Sequence, residues 1–243
     1  MDSAKKLGLI GRNISYSFSK KYFEEKFKNL GISNFSYSIF DLQNIEEVQK
    51  LFKVENLIGF NVTIPYKEQI IPYLDELSVE AEKIGAVNCV LIKNEKKIGF
   101  NTDAYGFEKT LLLHKTETQK TALILGDGGA AKAVKYVLEK NNIFFISISR
   151  QSEINFENIT NAIVKNHLII IQCTPVGTFP NIENCLPFPF EAITSQHLII
   201  DLIYNPSTTQ FMRNAEKNGA KTVNGLLMLE QQAEKAWKIW NYS

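Results

Sequence analysis

The feature that most constrains the fold is an apolar strand that leads through a glycine-rich turn into a segment of helical periodicity. Thr121–Leu125 is apolar, residues 126–131 have the sequence G-D-G-G-A-A, and residues 132–138 show helical spacing. In the G-x-G-x-x-A pattern, the first glycine permits a tight turn, the second lets the backbone approach a pyrophosphate, and the small last residue lets helix and strand pack closely. This unit predicts an α/β fold with a dinucleotide site at the turn.

Short β-rich segments alternate with helix-period segments along most of the chain, which is typical of βαβ units and mostly parallel sheets. A length of 243 residues suits two small domains better than one large one. We therefore predict a two-domain α/β protein. Strands are predicted at residues 7–10, 36–40, 57–61, 89–93, 97–100, 121–125, 143–149, 167–172 and 198–203. Helices are predicted at residues 20–30, 45–53, 74–84, 103–114, 130–140 and 226–242.

Charge and cysteine content argue against several functional classes. Lys plus Arg number 27 and Asp plus Glu number 26, so no overall field attracts nucleic-acid phosphates or an anionic membrane surface. The 3 cysteines and 3 histidines form no metal-ligand pattern, and the odd cysteine number at wide spacing fits a reducing compartment. The apolar runs are strand-sized. We expect a cytoplasmic protein that uses no metal and binds neither nucleic acid nor membrane.

The end of the strand after the glycine turn selects the nucleotide. An NAD site usually has an acidic residue there, about 20 residues beyond the turn, but here Ser149 is followed by Arg150. An arginine can pair with a 2′-phosphate and stack on adenine, so NADP is predicted in preference to NAD. The alternative is an exposed loop arginine without a ligand. Asp127, inside the turn, would repel a pyrophosphate unless its side chain points away.

Three polar segments in the first half follow predicted strands. Residues 15–19 cluster hydroxyls that can hold a carboxylate, residues 61–67 place a lysine in a polar turn, and residues 101–106 put an aspartate before a helix. Each alone has an ordinary explanation, because hydroxyls and Asp103 can cap helices and a lysine after a proline is usually solvated. Their order along the chain is the informative feature.

In that order the segments resemble the shikimate dehydrogenase family, and the resemblance spans essentially the whole chain. Six segments carry it: residues 11–19 (family motif G-x-P-I-x-x-S-x-S), 61–67 (N-V-T-x-P-x-K), 85–88 (G-A-V-N), 101–106 (N-T-D-x-x-G), 126–131 (the nucleotide turn) and 224–233 (D/N-G-x-x-M-L-x-x-Q-A). The chain departs from the family pattern at Asn13, where proline is usual, and at Gln172, where asparagine is common.

The resemblance implies an N-terminal α/β substrate domain of residues 1–103 and 226–243 and a Rossmann-like, doubly wound NADP-binding domain of residues 104–225. It implies that Lys67 and Asp103 are the catalytic pair. The implied substrate-binding residues are Ser17, Ser19, Thr63, Asn88, Tyr204 and Gln232. The implied cofactor-binding residues are Gly126, Gly128, Gly129, Ala130, Ala131, Ser149, Arg150, Thr174 and Gly225.

The implied activity is the reversible, NADP-dependent reduction of 3-dehydroshikimate to shikimate, by a monomer or homodimer. A lysine suits this chemistry because its ammonium can stabilise and protonate the oxyanion that hydride addition creates. Asp103 either orients a hydroxyl and the lysine or relays a proton. One alternative is a quinate/shikimate dehydrogenase with NAD tolerance, against which the serines at Ser17 and Ser19 argue. The other is a non-catalytic ligand-binding paralogue, which would be free to lose Lys67 or Asp103.

Overall fold

The computed structural model describes residues 4–14 and 17–242 and divides into two compact units. Unit 1 comprises Met1–Thr102 and Ala233–Ser243, and unit 2 comprises Asp103–Gln232. Ser15 and Tyr16, from the first polar segment, lie outside the described residues. Within the described ranges, no helix is long and apolar enough to cross a membrane. The same ranges contain no group of three or more His, Cys, Asp or Glu residues that could hold a metal ion.

Unit 1 is built on a mixed sheet with the strand order β2-β1-β3-β5-β6-β4. Its strands are β1 (Lys5–Gly11), β2 (Phe35–Asp41), β3 (Gly59–Val62), β4 (Glu76–Leu77), β5 (Cys89–Lys93) and β6 (Lys96–Phe100). Its helices are α1 (Phe18–Asn29), α2 (Val48–Leu51), α3 (Val79–Ile84) and the part of α8 (Leu226–Tyr242) that follows Gln232. β1 is parallel to β2 and β3, whereas β5 is antiparallel to β3 and β6. The carboxyl ends of β1, β3 and β6 therefore share one edge of the sheet with the beginning of β5.

The unit 1 sheet is covered on both faces, as the period-2 alternation of strand side chains requires. Leu7 and Leu9 of β1 belong to a core cluster with Phe23 of α1 and Trp240 of α8. Ile10 of the same strand belongs to a second cluster that contains α2 and α3 side chains. The second half of α8 thus packs its predicted apolar stripe on the face of this sheet that carries Leu7 and Leu9.

Unit 2 is a doubly wound parallel sheet with the strand order β11-β10-β9-β7-β8. Its strands are β7 (Thr121–Leu125), β8 (Phe144–Ile148), β9 (Ile169–Gln172), β10 (Leu198–Asp201) and β11 (Lys221–Val223). Its helices are α4 (Asp103–His114), α5 (Gly129–Lys140), α6 (Asn161–Lys165), α7 (Gln210–Glu216) and the beginning of α8. All neighbouring strands are parallel, and the strand order reverses between β7 and β9. The predicted α/β class is confirmed, and the buried apolar strands fit a sheet covered on both sides.

Most predicted elements are present, and α4, β5, β7 and α8 have the predicted bounds. The helix predicted at residues 74–84 is wrong in its first third. There the Asp75 carboxylate accepts the Lys97 backbone N–H at 2.7 Å, β4 pairs with β6, and Ser78 caps the shorter α3. The helix predicted at residues 45–53 begins as a 3₁₀ turn, Ile45–Glu47. The short elements α6, α7 and β11 were not predicted, because their apolar runs are too brief for a periodicity.

Candidate functional site

One edge of the unit 1 sheet collects the predicted site residues of that unit. Ser17 and Ser19 follow β1, Thr63 and Lys67 follow β3, and Asn88 immediately precedes β5. The strand order reverses around β1, which has β2 on one side and β3 on the other. Ligands of α/β sheets bind outside the carboxyl ends of strands at such a reversal. Five side chains predicted from three motifs therefore share one candidate binding edge.

The hydroxyl segment and the N-V-T segment are joined through Gly11. The Thr63 backbone N–H donates to the Ile10 carbonyl at 2.9 Å. A Cβ atom on Gly11 would lie 2.6 Å from the Thr63 side chain, so only glycine permits this approach. Beyond it, Ser17 caps α1, and its Oγ accepts the Ser19 N–H at 3.3 Å. Half-buried hydroxyls thus lie at the start of a helix, where an anion is favoured.

A chain of buried hydrogen bonds runs behind these hydroxyls, and the sequence reasoning did not identify it. The Tyr37 hydroxyl donates to Asn61 Oδ1 at 2.8 Å, and Asn61 Nδ2 donates to the Asn88 carbonyl at 3.1 Å. Burial raises the pKa of Tyr37 well above its ordinary value, and a hydrogen bond with Ser19 opposes that rise. The Thr102 N–H donates to Asn88 Oδ1 at 2.6 Å, and Asn88 Nδ2 donates to Thr102 Oγ1 at 3.0 Å. Because a backbone N–H can only donate, this pair fixes the orientation of the Asn88 amide.

The backbone around Lys67 is anchored on two sides. The Val87 N–H donates to the Lys67 carbonyl at 2.7 Å, which joins the N-V-T and G-A-V-N segments. The buried Tyr66 hydroxyl donates to the Leu42 carbonyl at 2.7 Å. These bonds place the half-buried Lys67 at the candidate edge of unit 1.

In unit 2, the glycine turn lies at the end of β7, where the strand order reverses. Gly126 has a φ of +118°, a conformation that disfavours other residues. A Cβ atom on Gly128 would have no neighbour within 4 Å, so the space above the turn is open. The 12-residue helix α5 begins at Gly129, and its small Ala131 is fully buried. An open glycine turn before helix N-terminal amides fits the pyrophosphate of a dinucleotide such as NADP.

The charge of Asp127, inside this turn, is compensated. Its carboxylate accepts a hydrogen bond from Lys135 Nζ at 2.5 Å, two turns further along α5. The repulsion expected of a carboxylate beside a pyrophosphate is therefore reduced by a cation on the same face. Lys135 was not identified from the sequence, although its spacing of eight residues places it on the Asp127 side of the helix.

A tight turn after β8 presents the predicted arginine. The Ser149 backbone N–H donates to Ser152 Oγ at 2.7 Å, and Ser149 Oγ accepts the Gln151 N–H at 3.3 Å. Arg150 lies between these anchored residues and is exposed. Since β8 is the parallel neighbour of β7, Arg150 lies at the same sheet edge as the glycine turn.

Three further loops meet at this edge. The Thr174 side chain lies against the glycine turn, so that a Cβ atom on Gly126 would be 3.1 Å from Thr174 Cγ2. The Gly225 N–H donates to the Ile203 carbonyl at 3.0 Å, which joins the turn before α8 to the loop after β10. Tyr204, half-buried, lies in that loop. The predicted residues Thr174, Tyr204 and Gly225 thus lie on loops at the carboxyl end of the parallel sheet, and of the three Thr174 contacts the glycine turn.

Two buried polar side chains at adjacent strand ends order these loops. Gln172 Oε1 accepts the Thr174 N–H at 2.5 Å, and its Nε2 donates to the Val176 carbonyl at 3.1 Å. Asp201 is its partner in the sheet register, and burial raises the Asp201 pKa to about 6. Gln172, at the position where asparagine is common in the family, therefore orders this loop through its amide. Asp201 was not singled out from the sequence.

Asp103 and Gln232 lie on two helices of unit 2 that pack closely. Gly106 of α4 contacts α8, and a Cβ atom there would clash with the Met228 carbonyl and lie 3.1 Å from the Gln232 nitrogen. Asp103 is buried and begins α4, one turn before Gly106. Gln232 is also buried, and its Nε2 donates to the Leu229 carbonyl at 2.9 Å.

Comparison with known proteins identifies the relatives of this chain. A sequence profile of the shikimate dehydrogenase substrate binding domain matches residues 9–90. The shikimate dehydrogenase (NADP(+)) of Methanococcus maripaludis strain S2 is 40% identical over 258 residues, which cover 97% of this chain and 91% of that protein. A crystal structure of a shikimate dehydrogenase in complex with NADP+ has a TM-score of 0.86 and 34% identity, and the match covers 99% of this chain and 91% of that one.

A second crystal structure gives the same result. Shikimate 5-dehydrogenase from Thermus thermophilus, in complex with NADP(H) and shikimate, has a TM-score of 0.87 and 29% identity, with 98% of this chain and 93% of that one covered. The likeness therefore extends over both units, the glycine turn and the polar motifs. On this whole-length agreement in sequence and structure, the chain belongs to the shikimate dehydrogenase family.

Proposed function

We propose that this chain catalyses the reversible, NADP-dependent reduction of 3-dehydroshikimate to shikimate in chorismate and aromatic amino acid biosynthesis. The observation that carries the proposal is the gathering of three hydroxyls, an amide and an ammonium at one edge of the unit 1 sheet: Ser17, Ser19, Thr63, Asn88 and Lys67. A small ring acid with a carboxylate, ring hydroxyls and a ketone requires donors of these kinds.

In this proposal residues 1–103 and 226–243 form the substrate domain, which adds Asp103 and the start of α8 to unit 1, and residues 104–225 form the NADP domain. The open turn at Gly126 and Gly128 and the exposed Arg150 beside it support the second assignment. The residues proposed to hold NADP are Gly126, Gly128, Gly129, Ala130, Ala131, Ser149, Arg150, Thr174 and Gly225. When bound, NADP exchanges a hydride with the substrate.

The chain's own residues supply binding and proton transfer. Ser17 and Ser19, with Thr63 and Tyr204, donate hydrogen bonds to the substrate carboxylate. Asn88, Asp103 and Gln232 bind the ring hydroxyls, and the Thr102 contacts fix the orientation of the Asn88 amide. Lys67 stabilises the negative charge that develops on the carbonyl oxygen and provides its proton, with Asp103 as its partner.

Replacement of Lys67 by methionine tests this proposal. We expect Lys67→Met to lower kcat by at least about 10²-fold, because it removes the proton donor but keeps an apolar stem of similar length. Shikimate binding, measured by calorimetry, should change little. Lys83→Met, at an exposed position of α3 in the same unit, is the matched control and should leave kcat unchanged.

The outcomes separate the candidate functions. Parental turnover by Lys67→Met would overturn the role of this lysine. If the parental chain oxidises quinate with NAD as efficiently as shikimate with NADP, the wider quinate/shikimate activity is correct. If it binds shikimate and NADP without turnover, it is a ligand-binding paralogue.

We also propose that the enzyme acts in the cytoplasm on small molecules, as a monomer or homodimer, without a nucleic-acid or membrane partner. The net charge of +1 and the three free cysteines support this proposal. Cell fractionation and light scattering of the purified protein test location and oligomeric state.

A further inference from the structure

Asp201 joins the two ends of the loop that carries Tyr204. It is the last residue of β10 and is fully buried. Its Oδ1 accepts the Ile203 backbone N–H at 3.0 Å, and its Oδ2 accepts the Thr209 hydroxyl at 2.6 Å. Burial of a carboxylate is unfavourable unless hydrogen bonds compensate it. The residues between Asp201 and Thr209 form the Tyr204 loop, residues 202–208.

Thr209 connects this loop to the next helix. Its hydroxyl donates to Asp201 and also accepts the Met212 N–H at 3.2 Å, which makes Thr209 the N-cap of α7. Thr209 is itself fully buried. One hydroxyl thus fixes the end of the loop to the strand end and to the helix start.

Neighbouring loops hold the backbone of the Tyr204 loop between these ends. The Asn205 carbonyl accepts hydrogen bonds from Thr178 Oγ1 at 3.2 Å and from the Phe179 N–H at 3.1 Å. The Ser207 carbonyl accepts from Asn224 Nδ2 at 2.9 Å. With its ends fixed by the carboxylate and its middle fixed by carbonyl contacts, the loop has little freedom to move Tyr204.

We propose that Asp201 and Thr209 are positioning residues that set Tyr204 for binding the substrate carboxylate, an inference that rests on the proposed function of Tyr204. They act through the loop backbone and do not touch the substrate themselves. Loss of the Asp201–Thr209 bond releases the end of the loop and weakens shikimate binding. It leaves the glycine turn, and therefore NADP binding, in place.

Thr209→Val tests this role, because it removes the hydroxyl and keeps the shape. We expect the KM for shikimate to rise about tenfold and the KM for NADP to change less than twofold. Thr209→Ser, which restores a hydroxyl, and Asp201→Asn, whose amide can still accept from Ile203 and bond Thr209, should remain within threefold of the parent. If Thr209→Val does not fold, Thr209→Ala removes the same hydroxyl without branching.

A matched control separates positioning from the loss of a helix cap. Thr160 is the N-cap of α6 in the same unit, and its hydroxyl accepts the Ile163 N–H at 3.4 Å. Thr160→Val should lose a cap and leave both KM values unchanged. An equal rise of the shikimate KM in Thr160→Val and Thr209→Val would overturn the inference, as would an unchanged shikimate KM in Thr209→Val.

A double-mutant cycle with Tyr204→Phe distinguishes the inference from the proposed function. If Thr209 acts through Tyr204, Thr209→Val should add less than twofold to the shikimate KM in the Tyr204→Phe background. Full additivity would overturn the positioning role even though Tyr204 binds substrate. If Tyr204→Phe alone leaves the shikimate KM unchanged, the substrate role of Tyr204 and this inference both fail, whereas shikimate oxidation by the parent still stands.

Hydrogen exchange tests the loop without any substrate. Exchange of the amides in the Tyr204 loop should be at least about tenfold faster in Thr209→Val than in the parent or in Thr160→Val. Equal exchange in all three proteins would overturn the inference, whatever reaction the enzyme catalyses.

Discussion

The stability of Asp201→Asn relative to the parent should increase as the pH rises. Burial raises the pKa of Asp201 to about 6, against about 3.9 for an aspartate in an unfolded chain. A raised folded-state pKa contributes stability that is fully present below the unfolded pKa and is lost as the pH rises through the folded pKa. The parent should therefore lose this contribution between about pH 4 and about pH 6, a window set by these two values.

The expected magnitude follows from the two pKa values. A difference of about 2 pH units at about 1.4 kcal/mol per unit corresponds to about 3 kcal/mol. Asparagine does not titrate, its Oδ1 can accept the Ile203 N–H, and its Nδ2 can donate to Thr209 Oγ1. The free energy of unfolding of the variant minus that of the parent should therefore increase by about 2 kcal/mol between about pH 4, where the unfolded carboxyl is already half ionised, and about pH 7.

Urea unfolding followed by far-ultraviolet circular dichroism, at several pH values in this interval, measures the difference. Taking variant minus parent at each pH cancels the titration of all other groups. Asp75→Asn is a control in which the variant-minus-parent difference should change in the opposite direction. Hydrogen bonds from Lys97 lower the pKa of Asp75, so this substitution should become more destabilising as the pH rises. A variant-minus-parent difference for Asp201→Asn that does not depend on pH would refute the reasoning.

Three further predictions concern the nucleotide site and the unit 1 core. Arg150→Ala should weaken NADPH binding by about 10- to 100-fold and NADH binding much less, whereas Arg213→Ala, also exposed in unit 2, should affect neither; fluorescence titration measures both. Asp127→Ala should tighten NADPH binding a few-fold at low salt, because it releases Lys135 from its ion pair, and the gain should vanish at high salt. Gly59→Ala should destabilise unit 1 by about 2–4 kcal/mol in urea unfolding followed by tryptophan fluorescence, because its methyl group would displace a buried indole–carbonyl hydrogen bond.

The sequence predicted local structure well where one short segment decides the conformation. The apolar Thr121–Leu125, followed by glycines, has the predicted strand, turn and helix, and the apolar stripe of Leu226–Tyr242 gives the predicted long helix. Prediction was wrong for residues 74–77. Two interactions overrode the helical spacing of these residues. Asp75 accepts hydrogen bonds from Lys97, and β4 pairs with β6, a strand about 20 residues further along the chain.

By itself, therefore, the sequence determined the α/β class, the dinucleotide turn and the order of polar motifs, because each depends on residues that are neighbours in the chain. Only the tertiary structure decided which buried groups support those motifs. Tyr37 and Asn61 are 24 positions apart, and Asp201 reaches past Tyr204 to Thr209, eight positions away. Such pairs meet because the fold brings separate strands and loops together, and no local periodicity encodes that meeting.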